Sequence, residues 1–540
     1  MACFVDCYAG LRSLLRKPFA RLVFFMASVP LALYAASPTL TIDLKDFATV
    51  PITGKVDGQR NDAYLSRVQI MREEGGRFFV ADANGPLYIL DSRTKAFTTF
   101  LNFNGDTGGL FHKLFTGSGF TDGFVNFVFD PDFMHNGKFY TIHIENPTLP
   151  GSVMPDNTNV PGLNLSGYAV TPVISTPGPA RLEAVLIEWT DASPSSSIFK
   201  GTARELMRLQ LNSPSHPMAG LIFDPTAQPG SANWRVLYIS IGDGAAGESP
   251  NLAIRPNAQR LDTLVGKVLR IIPDLNEHTG SSIVSENGKY RIPDDNPFFF
   301  VPDARKEIWA YGFRNIERLS WYSDATNPSK NRLIGDSIGL HTWESVEIIH
   351  KGINYGYDLR EGNQQLAPDN TLNPIPAVDK IPVLLNATTS LGMVTPTYPV
   401  AEYGHDPSGG DAISNGYVYQ GKIAALRGKY IFGDITTGHV WYLDYDDMLA
   451  LDDANPRDPS NMATMHVVHI LWGGEEYSSM HPIVEAGYHA RGGKAPVLPG
   501  RGAVSGPRAD IKFSEDANNN LYITSKSDGM IREIVGATLK

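Results

Sequence analysis

The stretch YVYQGKIAALRGKYIFGDITTG, residues 417–438, decides the fold of this chain. An aromatic and β-branched run leads through a polar turn to a second such run, KYIF, and a glycine turn then opens a third, GHVWYLDY. Short runs of this composition, bounded by Gly, Asp and Asn, are typical of β-strands. The stretch therefore predicts the order strand, turn, strand, glycine turn, strand.

The same pattern occurs five more times along the chain, and long amphipathic helix patterns are missing. The other copies are residues 68–85, 126–144, 221–244, 318–339 and 511–529. One such unit cannot bury both of its faces, so repeated units stack around an axis. Together the repeats predict an all-β chain and a six-bladed β-propeller. The alternative is an irregular β-sandwich in which the similarity between copies is accidental.

The copies are unevenly spaced, and the extra residues are rich in Pro, Gly, Ser and Asn. These insertions are residues 146–200, 273–304, 358–400 and 475–507. Long loops in a compact fold usually build or cover a site, so we expect them to gather at one mouth of the central channel. No composition change marks a boundary after the first residues, which predicts one propeller domain over residues 38–540.

Residues 1–37 resemble a secretory signal peptide. Four basic residues, Arg12, Arg16, Lys17 and Arg21, precede the apolar run LVFFMASVPLALYA, which is followed by further small residues. This run is shorter than the roughly 20 residues of a membrane-spanning helix. We therefore expect cleavage, a secreted or periplasmic protein and no stable membrane insertion afterwards; a retained anchor is the alternative. The only cysteines, Cys3 and Cys7, lie in this leader, so the mature chain would hold no disulfide.

The net charge of the chain indicates which class of partner it can bind. The formal net charge is −11, and no long Lys/Arg run occurs. Binding to nucleic acid requires a basic surface, so the sequence argues against a nucleic-acid partner and leaves a small polar ligand open. The pattern specifies no oligomeric state.

Two polar residues flank the strands of the third copy. His216 comes just before its first strand, and Asp243 comes just after its second strand. Adjacent antiparallel strands bring these two ends to the same edge of a sheet. An Asp that accepts a hydrogen bond from one imidazole nitrogen leaves the other nitrogen free as a general base. The alternative is that His216 is an ordinary solvated loop residue.

Arg314 and Asn315 lie in the middle of EIWAYGFRNIERLSW, residues 307–321, which otherwise resembles a half-buried strand or its end. Buried charged and amide groups must find partners or face a cavity. A guanidinium that faces a cavity can stabilise negative charge or bind oxygen atoms through two hydrogen bonds. Equally, Arg314 could join neighbouring blades through backbone carbonyls.

A set of blocks in a fixed order resembles the glucose/sorbosone dehydrogenase family, the soluble sugar dehydrogenases that use pyrroloquinoline quinone. The blocks are IGDG (241–244), AQRLDTLVGKVLRI (258–271), EIWAYGFRNIERLSW (307–321), VEIIHKGINYGYD (346–358) and GGDAISNGYVYQGKIAALRGKYIFGDITTGHVWYL (409–443). The resemblance extends over roughly residues 60–538. It implies a six-bladed propeller, a small sugar substrate, a separate electron acceptor, and quinone and calcium as cofactors.

The resemblance also implies roles for particular residues. His216 matches the family's general base and Asp243 the residue that orients it. Arg314 and Asn315 match the pair that contacts the reactive carbonyls of the quinone, although Ile316 replaces the usual Pro. In the family, the base takes a proton from the sugar hydroxyl while a hydride passes to the quinone.

Calcium and substrate positions follow from the same resemblance. The backbone carbonyls of Gly339 and Leu340 match the family's calcium segment, and carbonyl oxygens suit this hard cation. Glu344 and Tyr355 match a second, structural calcium position. The family uses the loop at Tyr403 and His405 to form a wall of the substrate pocket; His405 could also be a loop residue without a role.

The sequence departs from the family where the carboxylates of the quinone are bound. Thr436 replaces a Lys, Arg508 alone stands for a pair of Arg residues, and Thr121 or a neighbour replaces a Gln. Each lost charge-assisted contact removes about 1.5–3 kcal/mol. Tight quinone binding then requires a cation from the 475–507 loop; the candidates are Arg491, Lys494 and Arg501.

Two other functions remain open. One is a calcium-dependent lactonase-type hydrolase, in which Asp243, Asn315, Asp336 and Glu344 would converge on a metal ion. The other is a non-enzymatic binding propeller that has kept the scaffold and lost quinone binding, since a fold does not determine a function.

Overall fold

The computed structural model describes residues 39–58, 63–117, 121–149, 181–211, 215–249, 252–453, 458–501 and 506–540. The predicted signal peptide, residues 1–37, lies outside these residues, as do Cys3 and Cys7. Residues 39–540 form one compact unit. Among the residues described, none of the helices has both the length and the apolar character needed to cross a membrane.

Strands are by far the main regular structure of the described chain, which confirms the predicted all-β class. The strands are β1 Leu40–Thr49, β2 Val68–Glu74, β3 Arg77–Asp82, β4 Pro86–Leu90, β5 Phe97–Asn102, β6 Phe124–Phe129, β7 Lys138–Glu145, β8 Leu182–Asp191, β9 Gly201–Leu211, β10 Met218–Phe223, β11 Leu237–Ile241, β12 Lys267–Ile271, β13 Ser282–Val284, β14 Arg291–Pro293, β15 Ile308–Tyr311, β16 Ile316–Tyr322, β17 Arg332–Ser337, β18 Trp343–Ile349, β19 Arg360–Glu361, β20 Gln364–Leu366, β21 Leu372–Asn373, β22 Ile381–Leu384, β23 Ser390–Val394, β24 Ala401–Gly404, β25 Tyr417–Val418, β26 Lys429–Gly433, β27 Val440–Asp444, β28 His466–Trp472, β29 Glu475–Tyr477, β30 Ile511–Glu515, β31 Leu521–Ser525 and β32 Met530–Leu539. The α-helices are α1 Phe133–Asn136, α2 Tyr445–Asp452 and α3 His481–Ala490.

Six antiparallel groups of four strands follow one another along the chain. They are β2–β5, β6–β9, β10–β12 with β15, β16–β18 with β24, β25–β28, and β30–β32 with β1, and we call them sheets 1 to 6. Each repeat recognised in the sequence coincides with the first two strands of one sheet. The alternation of apolar strands and polar turns was therefore a reliable guide to this half of each sheet.

Apolar clusters lie between consecutive sheets. One joins sheets 1 and 2, and others join sheets 2 and 3, 3 and 4, 4 and 5, 5 and 6, and 6 and 1. The sheets therefore succeed one another in a closed ring, and each has both faces covered. This is the arrangement that explains why their strands are buried on both faces.

The first strands of the sheets are tied together by polar side chains that bind the backbone of the next sheet. Asn126 Nδ2 donates to the carbonyl of Ala219 at 2.9 Å, and Ser240 Oγ donates to the carbonyl of Ile316 at 2.7 Å. Asn415 Nδ2 likewise donates to the carbonyl of a residue in β30 at 2.8 Å. Buried polar groups are thus satisfied across the gaps between sheets, as a low-dielectric interior requires.

The insertions contain more regular structure than the sequence indicated. Residues 273–304 hold β13 and β14, residues 358–400 hold β19 to β23, and residues 475–507 hold β29 and α3. The prediction of a loop throughout 146–200 is wrong for residues 182–191, which form the almost fully buried strand β8. This strand is third in its sheet, and the repeat pattern marked mainly the first two.

Strand β1 closes the ring. It pairs antiparallel with β32, the last strand of the chain, and parallel with β28 of the preceding sheet. Leu40, Ile42 and Leu44 enter the apolar cluster between sheets 5 and 6. The two ends of the described chain are therefore joined by main-chain hydrogen bonds and by a shared core.

We predict that Ile42→Ala destabilises the whole protein, because it leaves a cavity at this closure. The expected loss in the free energy of unfolding is about 2–5 kcal/mol, measured by urea denaturation followed by tryptophan fluorescence. Lys45→Ala, on the exposed side of the same strand, is the matched control and should change stability by less than about 0.5 kcal/mol. Equal losses for the two variants would contradict a closing role for β1.

Candidate active site

A pocket of about 380 Å³ opens where the first strands begin and the second strands end. Its volume lies in the usual range for small-ligand sites. The described residues that line it are Thr121, Ser215, His216, Glu248, Arg314, Asn315, Glu317, Ile338, Gly339, Leu340, His341, His405, Asp411, Ala412, Arg501 and Arg508. They come from five of the six sheets and from the segments beside them, so the pocket lies on the axis of the ring.

His216 and Asp243 form a hydrogen-bonded pair at the edge of sheet 3. His216 Nδ1 lies 2.7 Å from Asp243 Oδ1. The Asp243 carboxylate is buried and also accepts hydrogen bonds from the backbone N–H of Ala245 at 2.8 Å and from Tyr357 Oη at 3.2 Å. Burial opposes its ionisation, but His216 and Arg314 outweigh burial and hold the pKa of Asp243 below its ordinary value. Asp243 is therefore a fixed, ionised acceptor behind the imidazole.

Backbone geometry aims His216 at the pocket. His216 has φ of +55°, a left-handed conformation that is uncommon for a residue with a Cβ. A Cβ on Gly242 would lie 2.7 Å from the His216 Cβ and 2.8 Å from Asn315 Oδ1. Only glycine at position 242 therefore allows His216 and Asn315 to approach each other this closely.

Arg314 and Asn315 lie in the connection between β15 and β16, so they approach the pocket from sheet 4. The backbone N–H of Asp243 donates to the carbonyl of Arg314 at 2.7 Å, which joins this connection to the His216 edge. Arg314 Nη1 donates to the carbonyl of Ile338 at 3.2 Å, and Nη2 contacts the carboxylate of Glu248. Burial opposes the charge of Arg314, but Glu248 and the other nearby acidic groups outweigh it and raise the pKa. Arg314 thus both joins sheets and presents a cation to the cavity.

Two further cations reach the pocket from the segment before sheet 6. Arg508 and Arg501 both line it. Arg491 does not belong to this lining, because it contacts the carbonyls of Val50 and Asp528. Lys494 is also outside the lining. Three arginines, Arg314, Arg501 and Arg508, therefore line the described pocket. The resemblance stated above assigned a quinone-binding role to only two of them, Arg314 and Arg508.

Glu344 is a buried residue beside Gly339 and Leu340 whose carboxylate accepts several hydrogen bonds. It accepts hydrogen bonds from Gly339 N at 3.1 Å and Ile413 N at 2.7 Å, and its Oε1 lies 2.6 Å from His405 Nε2. Burial raises the pKa of Glu344. Burial alone would lower the pKa of His405, but the Glu344 carboxylate raises it. Glu344 therefore fixes His405 and the segment that presents the carbonyls of Gly339 and Leu340.

Comparison with known proteins agrees with this geometry. Residues 230–455 match the family model described as Glucose / Sorbosone dehydrogenase. This central part of the chain is therefore similar to the glucose/sorbosone dehydrogenase family. The matched residues include Glu248, Arg314, Asn315 and His405 of the pocket lining, whereas His216 precedes the matched range.

Relatives of known sequence share part of the chain. The HIPL1 protein of Arabidopsis thaliana is 29% identical over 335 residues, which are 59% of this chain and 43% of that protein. The aldose sugar dehydrogenase YliI of Escherichia coli is 35% identical over 123 residues, 23% of this chain and 26% of that protein. The chain thus matches less than half the length of these curated relatives.

Solved structures show the same fold. A crystal structure of the soluble aldose sugar dehydrogenase from Escherichia coli has a TM-score of 0.51 and 15% identity, with 93% of this chain and 100% of that chain covered. A crystal structure of glucose dehydrogenase has a TM-score of 0.51 and 14% identity, with 88% and 98% covered. At these identities the likeness is one of fold.

Besides Asp243 and Glu344, three further residues that the resemblance to the glucose/sorbosone dehydrogenase family singled out lie outside the pocket lining. Thr436 is buried and donates through Oγ1 to Asp434 Oδ1 at 2.6 Å. Tyr403 donates to Asp434 Oδ2 at 2.9 Å. Tyr355 donates to the carbonyl of Ile348 at 2.6 Å and stacks on a neighbouring phenylalanine ring. These side chains are therefore hydrogen-bonded within the fold and do not line the cavity.

Sequence reasoning missed the three carboxylates of the pocket, Glu248, Glu317 and Asp411. Glu248 follows Asp243 in the same loop, so its nearness to Asp243 in the sequence is a signal that could have identified it as a pocket residue. Glu317 accepts a hydrogen bond from Thr121 Oγ1 at 2.5 Å and contacts Lys512. The nearby cations, above all Lys512, outweigh burial and lower the pKa of Glu317. Its partners come from distant sheets, and no local pattern could reveal them.

Asp336 is a buried carboxyl beside this site whose main contact is the hydroxyl of Tyr430 at 2.7 Å. Burial raises the pKa of Asp336 to about 7. Between about pH 4 and pH 7 the folded protein therefore keeps a proton that the unfolded chain releases. This group lowers the free energy of unfolding as the pH rises through that window.

We predict that Asp336→Asn removes this pH dependence, since Asn is neutral and keeps an acceptor for Tyr430. The free energy of unfolding of the variant, relative to the unsubstituted protein, should rise by about 2–4 kcal/mol between pH 4 and pH 8. Urea denaturation at several pH values measures this difference. Asp446→Asn, at an exposed position, should show no such trend; a flat difference for Asp336→Asn would show that the carboxyl ionises normally.

Proposed function

We propose that the protein is a quinoprotein sugar dehydrogenase, with sheets 1 to 6 as the blades of a six-bladed propeller. The observation that carries the proposal is that His216, paired with buried Asp243, shares one pocket with Arg314 and Asn315. A general base, its orienting carboxylate and a cation are what hydride abstraction from an alcohol carbon requires of the protein. We further propose export to the periplasm or the cell exterior, which rests on the leader-like residues 1–37.

The pocket suits pyrroloquinoline quinone, a tricarboxylate with a reactive pair of carbonyls. Arg314 Nε is a buried donor without a hydrogen-bond partner among the residues described. Arg314 and Asn315 would hold the carbonyl end, and Arg501 and Arg508 would hold carboxylates through charge-assisted hydrogen bonds. When bound, the quinone supplies an electrophilic carbonyl carbon that accepts the hydride.

Calcium would bind at the carbonyls of Gly339 and Leu340, which line the same pocket. Carbonyl oxygens are typical calcium ligands. The Glu344 carboxylate, by contrast, is occupied by His405 and backbone N–H groups. We therefore assign Glu344 to holding this segment in place.

Three side chains of the pocket and its surroundings have different roles in the proposed reaction. With Nδ1 of His216 held by Asp243, Nε2 is the nitrogen that accepts the proton of the sugar hydroxyl. Asp243 keeps the ring in this tautomer and stabilises the imidazolium that forms. Arg314 stabilises negative charge that develops on the opposite side of the pocket.

His216→Ala should abolish most of the activity. We expect the rate of dye reduction with aldoses, in the presence of pyrroloquinoline quinone and calcium, to fall by about 10²–10⁴-fold, because the general base is lost. Quinone binding, measured separately by fluorescence titration, should persist. His135→Ala, at an exposed position on α1, is the matched control; equal rates for the two variants would refute His216 as the base.

The binding propeller remains a second candidate, and one observation favours it. Thr436 replaces the expected cation and is fully engaged with Asp434. Absence of quinone binding at micromolar concentration would favour this candidate. The lactonase-type arrangement is less well supported, since of Asp243, Asn315, Asp336 and Glu344 only Asn315 is part of the described pocket lining.

A further inference from the structure

Glu248 holds the cation on which the proposed function depends. Its carboxylate contacts Arg314 Nη2 from the loop that follows Asp243. The Arg314 side chain is buried, whereas that of Glu248 is 39% exposed and faces the opening. Glu248 is thus the outer, solvent-accessible partner of an inner, fixed guanidinium.

The surroundings of Glu248 are crowded with charge. Carboxylate oxygens of Glu248 and Asp243 and a ring nitrogen of His216 lie within 4.8 Å of one another. Such a cluster resembles a cation site, but the Arg314 guanidinium already sits against the Glu248 carboxylate. A second cation placed there would be repelled by Arg314. The cluster is therefore better suited to an exchange in which an oxygen atom of a ligand replaces the Glu248 carboxylate as the acceptor on Arg314.

We propose that Glu248 is an internal competitor for Arg314, which a ligand must displace before it can bind the Nη2 side of this guanidinium. The proposal rests on the proposed function only in that the ligand carries anionic or carbonyl oxygens. Displacement costs the ion pair, so Glu248 weakens the binding of every such ligand. It also selects ligands that replace the lost contact with oxygens of their own.

Displacement has a second effect on the pocket. Once Arg314 binds the ligand, the Glu248 carboxylate lies beside His216 with no guanidinium to occupy it. A carboxylate there accepts hydrogen bonds from hydroxyl groups. Glu248 therefore favours a polyhydroxylated substrate as the second molecule to enter and disfavours an acidic one.

The test compares the full-length protein with Glu248→Gln, a substitution that keeps the shape and removes the charge. Dissociation constants are measured by isothermal titration with two probes, pyrroloquinoline quinone and citrate, a tricarboxylate without a quinone. We expect Glu248→Gln to bind both more tightly, by about 10- to 150-fold, the range of one charge-assisted contact. Glu277→Gln, which breaks the Glu277–Arg235 pair outside the pocket, is the matched control and should bind both probes as the unsubstituted protein does.

The two probes separate the failure of this proposal from that of the proposed function. Tighter citrate binding by Glu248→Gln without any quinone binding supports the competitor role and counts against a quinoprotein. Unchanged or weaker binding of both probes overturns the competitor role. Weaker quinone binding that calcium restores would instead make Glu248 a metal ligand, and this result also overturns the proposal.

Discussion

A four-stranded sheet with two apolar faces must be covered on both sides, and this requirement determines the architecture described above. Each of six apolar clusters belongs to two consecutive sheets, so no sheet is stable in isolation. The series ends only when sheet 6 meets sheet 1. A ring of this kind leaves the first strands crowded around an axis, where polar side chains must bind the backbone of the next sheet.

The pocket is a result of this crowding. The first strands begin, and the second strands end, at one edge of the ring, so residues distant in sequence meet there. His216, Arg314, His405 and Arg508 come from the approaches to different sheets. The charge of Arg314 is balanced by Glu248 and the buried Asp243, and that of Arg508 by Asp510, which explains how buried arginines share a small cavity.

The sequence predicts those parts of the fold and the site that depend on residues close together in the chain, and it does not reveal contacts between distant segments. The strand pairs that open each sheet have a local signature, and they were predicted; β8 lacks it and was taken for part of a loop. His216 and Asp243 flank two adjacent strands, so their pairing followed from local order. The contacts of Glu248 with Arg314 and of Glu317 with Lys512 join different sheets, and no spacing in the sequence encodes them. Thr436 and Tyr403 were assigned by resemblance, whereas the fold directs both toward Asp434 and away from the cavity.

The pairing of β1 with β32 has a consequence for biogenesis. The most N-terminal of the described strands completes the sheet made by the most C-terminal one, so this sheet can form only after β32 has been synthesised. Until then β1 is an unpaired strand edge, which chaperones recognise and which other chains can join. Sheet 6 is therefore the last of the six described sheets that can be completed during synthesis.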